Sequence, residues 1–389
     1  GDRADVLLPA SGDLGSHGYL RELIELVGPR YDAERHGHGP GINLLQAYLA
    51  VGNLDAAQHL LDLLFSLNRP EIENRLIGFS RALAEAVAAG VTSQQAGDAS
   101  GTAAATQISL ASISKPIWFY GLEDHADALL PRREGRLRRV AFAQCALLGE
   151  EKLLERAKLP EDEAGRFSRG FALWFSETFF HSAGYEPFAG IGMFAPEHLA
   201  LFPAEWTADN IRQLNDSTEG GLDYVVTSAL KNRHADYELT VRIWEVRKFR
   251  QLKSFSTRWT PANANTVLAE FHQLLRTYME WSAFPAGNGL AYTAPTQPLA
   301  YVQALGASLA LFLEGKQMLP ATHAPASAEL FLRAAQANPD NPAAQLMLVT
   351  ALQRLQAAGR APDDDALSHA RTWLASDAAR AAGVAGLSV

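Results

Sequence analysis

The chain is short of cysteine, of long apolar runs and of net positive charge, and each shortage removes a class of answer. A single thiol, Cys145, in 389 residues leaves no intrachain disulfide framework and no cysteine-based zinc site. No apolar run reaches the roughly eighteen residues that span a bilayer, and no signal peptide is readable, so no transmembrane segment is expected. Gly1 in place of a methionine reads as a trimmed or tagged end. The formal net charge of −9 argues against a general grip on nucleic acid, whose phosphates require a basic stripe. The densest basic run, Arg132 to Arg139, holds five arginines where a turn enters a strand, and reads as a solvated turn. The expected compartment is the cytoplasm, with a disulfide-free periplasmic location as the alternative.

Catalytic signatures are missing too. Neither glycine-rich phosphate loop is present, and the GNGLAYT stretch at Gly287 to Thr293 reads as a connector. Ser168, Ser176 and Ser182 sit in no nucleophile elbow. His36 and His38 are two apart and need a third metal ligand that nothing in the sequence marks, so a polar interhelical loop is expected. Glu123, Asp124, His125 and Asp127 form a conceivable proton-transfer set, although an acidic surface loop is the commoner use of such a cluster. No cofactor is expected.

What remains is a globular mixture, 48% apolar and 20% charged, long enough for two or three domains. Residues 19 to 89 are helical by period: Leu20, Leu23, Ile24 and Val27 lead, GHGPG breaks the pattern at Gly37 to Gly41, and helices follow over Ile42 to Val51 and Leu54 to Leu67. Residues 90 to 107, rich in Gly, Ser, Thr, Ala and Gln, read as a linker. Strands are expected over Ile113 to Tyr120, Arg139 to Leu148, Phe188 to Phe194 and Leu222 to Leu230. Helices are expected over Phe167 to Ser182 and from Thr207, a hairpin over Glu238 to Trp259, and a long amphipathic helix from Val267 to Met279. Trp118, Phe119, Tyr120, Trp174, Phe175, Phe179 and Phe180 match core positions.

Three segments resemble known families. Asn43 to Pro70, with Tyr48, Gly52, the small pair Ala56 and Ala57, and Pro70, resembles a tetratricopeptide-type helix pair. So does Ser327 to Ala361, with Ala334 and Ala335, Asn338-Pro339, Asn341-Pro342 and Gly359. Residues 138 to 281 resemble the amino-terminal domain of the Tol translocation protein TolB, through RRVAFAQCALLG, GRFSRGFALWFSETFF leading into GYEPFAGIGMF, and GLDYVVTSALKNRHADYELTVRIWEV. Here VRKFRQLKSFSTRW replaces the family's usual glycine-containing turn. The resemblance implies a fold and a non-enzymatic habit, and brings no catalytic residue. The expected fold class is α+β: tetratricopeptide-like helices with the linker over 1–107, a TolB-like module over 108–290, and tetratricopeptide-like helices over 291–389. The expected function is a non-catalytic scaffold or accessory subunit of a bacterial multiprotein complex, with protein partners and no nucleic acid. Tyr48, Asn53, Arg333, Asn338 and Gln345 are its candidate contacts. The alternatives are a small-ligand sensor binding between Trp118 and the Phe171 helix, or an enzyme using the loop at His125.

Overall fold

The computed structural model describes residues 4–16, 19–51, 53–67, 69, 72–73, 75–80, 83, 108–149, 156, 161–194, 198–384 and 386–389. The chain divides between residues 105 and 106 into two compact units, each with its own core. Its content is mixed α and β, as expected. The linker expected over 90–107, Gly52 and Pro70 lie outside the described residues.

In the first unit, α1 (Ala4–Ser16), α2 (Leu20–Val27), α3 (Ala33–His36), α4 (His38–Ala50) and α5 (Leu54–Ser66) enclose Leu23, Ile42, Leu45, Leu61 and Leu64. The break expected over Gly37 to Gly41 narrows to Gly37, whose φ of 70° suits glycine. Pro40 continues into α4 because it falls in the first turn, where a missing N–H loses no intrahelical bond. Gly41 lets the Tyr31 ring approach: an added Cβ would meet Tyr31 Cζ at 2.6 Å.

The second unit holds eight strands among its described residues: β1 (Ile108–Ile113), β2 (Arg138–Ala143), β3 (Ala146–Leu148), β4 (Tyr185–Phe194), β5 (His198–Leu199), β6 (Tyr224–Arg233), β7 (Asp236–Glu245) and β8 (Arg250–Trp259). The order is β1-β4-β2-β6-β7-β8, with β3 on β6 and β5 on β4. The central β4, β2 and β6 run parallel, as strand–helix–strand crossovers require, while β7 and β8 close the sheet antiparallel. His234 and Ala235, both at positive φ, make the two-residue turn between β6 and β7 that matches strand twist.

Helices cover both faces. Between β1 and β2 lies the short α6 (Ala126–Leu129). On one face, α8 (Ala208–Asp216) is capped by Thr207, as expected, and lays Ile211 and Leu214 on Ala141, Val225 and Val246. On the other face lie α7 (Glu163–Phe180) and α9 (Ala264–Tyr278). Fifteen of the 18 residues of α7 are buried, because α10 (Pro298–Gly315) lies on its far side. The two helices meet at glycines: a Cβ on Gly170 would overlap the Val302 carbonyl, 2.9 Å from its carbon, and one on Gly306 would overlap Arg166, 2.8 Å from its Cα. The core then runs without interruption into α11 (Glu329–Ala337), α12 (Pro342–Ala357), α13 (Asp364–Leu374) and α14 (Asp377–Ala381). By length and composition α10 is apolar enough to cross a membrane, yet 72% of it is buried inside the unit, so it serves here as a core helix.

Two expectations are corrected. The strand expected over Ile113 to Tyr120 lies earlier, at Ile108–Ile113, and residues 114–121 are mostly turn, since Pro116 has no N–H for a ladder. Trp118 and Phe119 are nevertheless buried. The strand expected over Arg139 to Leu148 divides into β2 and β3 at Gln144. There the buried amide bridges the gap, donating to the Ala200 carbonyl at 2.8 Å and accepting from Gly192 N at 2.9 Å.

Candidate interaction surfaces

A cluster of buried polar and titratable groups ties the core of the second unit together. On α7, Glu177 accepts from Trp118 Nε1 at 3.0 Å and from the Tyr301 hydroxyl at 2.6 Å. Burial lifts its carboxyl to about 7 while those two donors pull it down. One residue on, Thr178 Oγ1 lies 3.0 Å from both His272 Nε2 and the Tyr292 hydroxyl. His272 stacks on Trp174 with ring centroids 4.5 Å apart. Burial, reinforced by the charge of Arg276, lowers His272 to about 3, and burial lowers His181 to about 4, so both are neutral near pH 7. This network ties the loop at Trp118, α7, α9 and α10 together. The cavity beside it, lined by Phe142, Phe171, Phe175 and Val226, holds about 10 Å³, the space of one water.

The five candidate contacts divide by burial. Asn53 is exposed and caps α5, accepting from Ala56 N at 3.3 Å. Tyr48 is half-buried against the first core. Arg333 is exposed and paired with Glu329 one turn away, at 2.8 Å. Asn338 and Gln345 are buried and brace the helices from inside. Asn338 accepts from Gln297 N at 2.8 Å and donates to the Ala334 carbonyl at 2.9 Å, and Gln345 donates to the Ala335 carbonyl at 2.9 Å. Tyr48 and Asn53 belong to one unit and the other three to the second; within the second, only Arg333 presents its side chain to solvent.

The other residues marked in the sequence have structural roles. His36 is buried and its Nδ1 accepts from Asp32 N at 2.9 Å. No group of three or more metal-ligating side chains occurs among the described residues. Glu123 accepts from Gly121 N in its own turn, and Asp127 lies 3.5 Å from Arg132, both well exposed. The arginine run expected as a solvated turn is in large part engaged: Arg133 lies over the Phe180 ring at 4.1 Å and donates to the Phe180 carbonyl at 3.0 Å. Arg138 lies over Tyr185 at 4.3 Å, and Arg139 donates to the Gly221 carbonyl at 2.8 Å.

A surface of a different kind lies at the sheet edge. Among the described residues β8 is paired only with β7, and it is exposed over most of its length. Arg247, Lys248, Arg250, Lys253 and Arg258 fall in or just before it, and residues 246–269 contain no acid. Glu245 takes Arg250 at 2.7 Å and Glu238 takes Arg258 at 2.9 Å, while Lys248 and Lys253 have no ion-pair partner among the described residues. The Phe255 ring meets Tyr278 of α9 at 5.3 Å; Tyr278 is 40% exposed, and Leu274, one turn earlier, 46%. The mixed apolar and polar pattern of Arg250 to Trp259 is that of an outer strand, as expected, but strand pattern alone does not show its charge. The acid-free run was the available signal. No family model, no curated protein and no solved structure matches this chain.

Proposed function

We propose that this chain is a non-catalytic scaffold or accessory subunit that binds other proteins within a bacterial multiprotein complex. The observation that carries the reading is the open edge of the sheet, cationic in a chain of net charge −9 and flanked by exposed apolar residues of α9. Unpaired strand edges invite another chain unless they are blunted or used. Two features lend further support. The order β2, α7, β4, α8, β6, β7, β8, α9, with parallel central strands, agrees with a TolB amino-terminal-like module. The succession α11, α12, α13, each packed on the next, agrees with tetratricopeptide-like stacking. A ligand pocket between Trp118 and the Phe171 helix has less support, since the adjoining cavity holds about 10 Å³ and drug-sized ligands occupy at least ~300 Å³.

The test is affinity capture from a bacterial host with the full chain as bait, eluted across a salt series. One or two proteins retained in fixed ratio at high salt are the expected result. Loss of every candidate at moderate salt would leave only electrostatic contaminants and remove the reading.

A further inference from the structure

We infer that the free edge of β8 receives an extended acidic segment of a partner protein as an added strand. The inference rests on the scaffold reading above and gives its partner a chemistry. Alternate residues of an antiparallel strand turn their N–H and C=O groups away from the existing partner, so β8 offers a row of main-chain donors and acceptors.

The side chains around this edge specify what enters. By register, Ser254, Ser256 and Arg258 lie opposite Arg242, Thr240 and Glu238, on one face. Phe255 and Trp259 lie on the other, opposite Val241 and Tyr237, toward α9. An added strand would lay every second side chain on the shelf made by Phe255, Tyr278 and Leu274, and its apolar residues belong there. Lys253 stands on that same face, opposite Ile243 and with its Nζ 5.5 Å from the Phe255 ring centroid, and Lys248 lies in the turn just before the strand, on an edge that has no acid of its own. Neither lysine has an ion-pair partner among the described residues, so carboxylates suit the end of the added strand that lies beside them.

The same charges decide against a second copy of this chain. Pairing β8 with itself would bring two acid-free cationic strands together, and like charges on facing strands are destabilising. The sheet also shifts register between Ile243 and Trp244, leaving Leu252 as the extra residue of a bulge, and bulges and edge lysines are both devices against self-association. The features that repel a twin therefore attract an acidic strand.

The test uses the full chain and a fluorescent ten-residue peptide of glutamates followed by valines, read by anisotropy. Three comparison probes accompany it: the peptide with lysine for glutamate, the peptide N-methylated throughout, and a single-stranded oligonucleotide. The acidic peptide is expected to bind and the lysine peptide to fail. N-methylation, which keeps charge but removes the main-chain donors, is expected to weaken binding at least about tenfold. Lys253→Glu and Leu274→Gln, both on exposed positions, are expected to weaken it several-fold each with circular dichroism unchanged. Equal binding of the N-methylated peptide, or preference for the oligonucleotide, would overturn the strand-addition inference. If the acidic peptide fails while the chain still captures a protein partner through high salt, this edge assignment falls and the scaffold reading survives. If capture fails as well, both fall.

Discussion

The crossing of α7 and α10 at Gly170 and Gly306 gives the sharpest quantitative prediction. Alanine is intrinsically better than glycine inside a helix by roughly 1 kcal/mol, so Gly170→Ala and Gly306→Ala would be stabilising if space allowed. It does not: the new methyl on Gly170 would overlap the Val302 carbonyl, and that on Gly306 the Arg166 backbone. Backbone cannot rotate aside as a side chain can, so the helices must separate by about 1 Å, which overpacking data price at about 1–3 kcal/mol or more. Separation also stretches the bond from Tyr301 to Glu177 at 2.6 Å, that from Arg166 Nε to Gln303 Oε1 at 3.0 Å and that from Gln303 Nε2 to the Glu163 carbonyl at 2.9 Å. Weakening bonds to a buried carboxyl adds roughly 1–3 kcal/mol. The expected net loss is on the order of 3 kcal/mol for either variant. The double variant should cost less than the sum, because the first separation makes room for the second methyl. All seven tryptophans lie in the second unit, so urea unfolding followed by their fluorescence reports this unit alone. Gly315→Ala, at the end of α10 with nothing within 4 Å of the added Cβ, is the control and should change stability by less than about 1 kcal/mol. Gly170→Ala as stable as the wild type would refute the account of this crossing.

Burial raises the folded-state pKa of Glu177 from 4.5 to about 7, so its contribution is full below pH 4.5 and is lost as pH rises toward 7. Relative to Glu177→Gln, the wild type should lose on the order of 3 kcal/mol across that window; parallel stability curves for the two chains would sink the assignment. The glutamine is tolerable because its carbonyl can accept from Trp118 while its amide donates to a reoriented Tyr301 hydroxyl. His272 carries the opposite sign. Its folded pKa is depressed from 6.5 to about 3, so stability present above pH 6.5 is lost as pH falls toward 3. His272→Phe, which keeps the stack on Trp174, should lower the pH of acid unfolding by a measurable step despite forfeiting the contacts of Nε2 with the Thr178 and Tyr292 hydroxyls, and an unchanged midpoint would contradict that assignment. A chain ending at residue 290 loses α10 to α14 and uncovers the far side of α7; it should lose its cooperative transition and bind a hydrophobic dye, whereas a sharp two-state melt would show that the sheet is stable without those helices.

Most of the sheet unit was legible because period and turn chemistry agree there. The alternation at Leu239, Val241 and Ile243, the Thr207 cap and the apolar stripe of α9 each carry a local signal. Where tertiary contacts override local pattern, the reading slipped. ISKPIWFY has a strand's composition, but Pro116 forbids the ladder and the buried Trp118 ring is secured by Glu177, 59 residues away in sequence. The Gln144 bridge, the crossing of Gly170 and Gly306, and the inward use of Asn338 and Gln345 depend on partners far along the chain, which periodicity cannot reveal. Arg133 and Arg138 looked solvated because an arginine lying over an aromatic ring leaves no mark in sequence. The cationic edge was present in the sequence as an acid-free run, but its meaning depends on β8 ending the sheet.

The most direct measurement is hydrogen exchange of the full chain, alone and in its captured complex, resolved to segments. The account predicts slowed exchange along β8, residues 250–259, with the outward face of α9 following, because an added strand would take up the amides that β7 leaves free. A complex in which β8 exchanges as fast as in the free chain would contradict it.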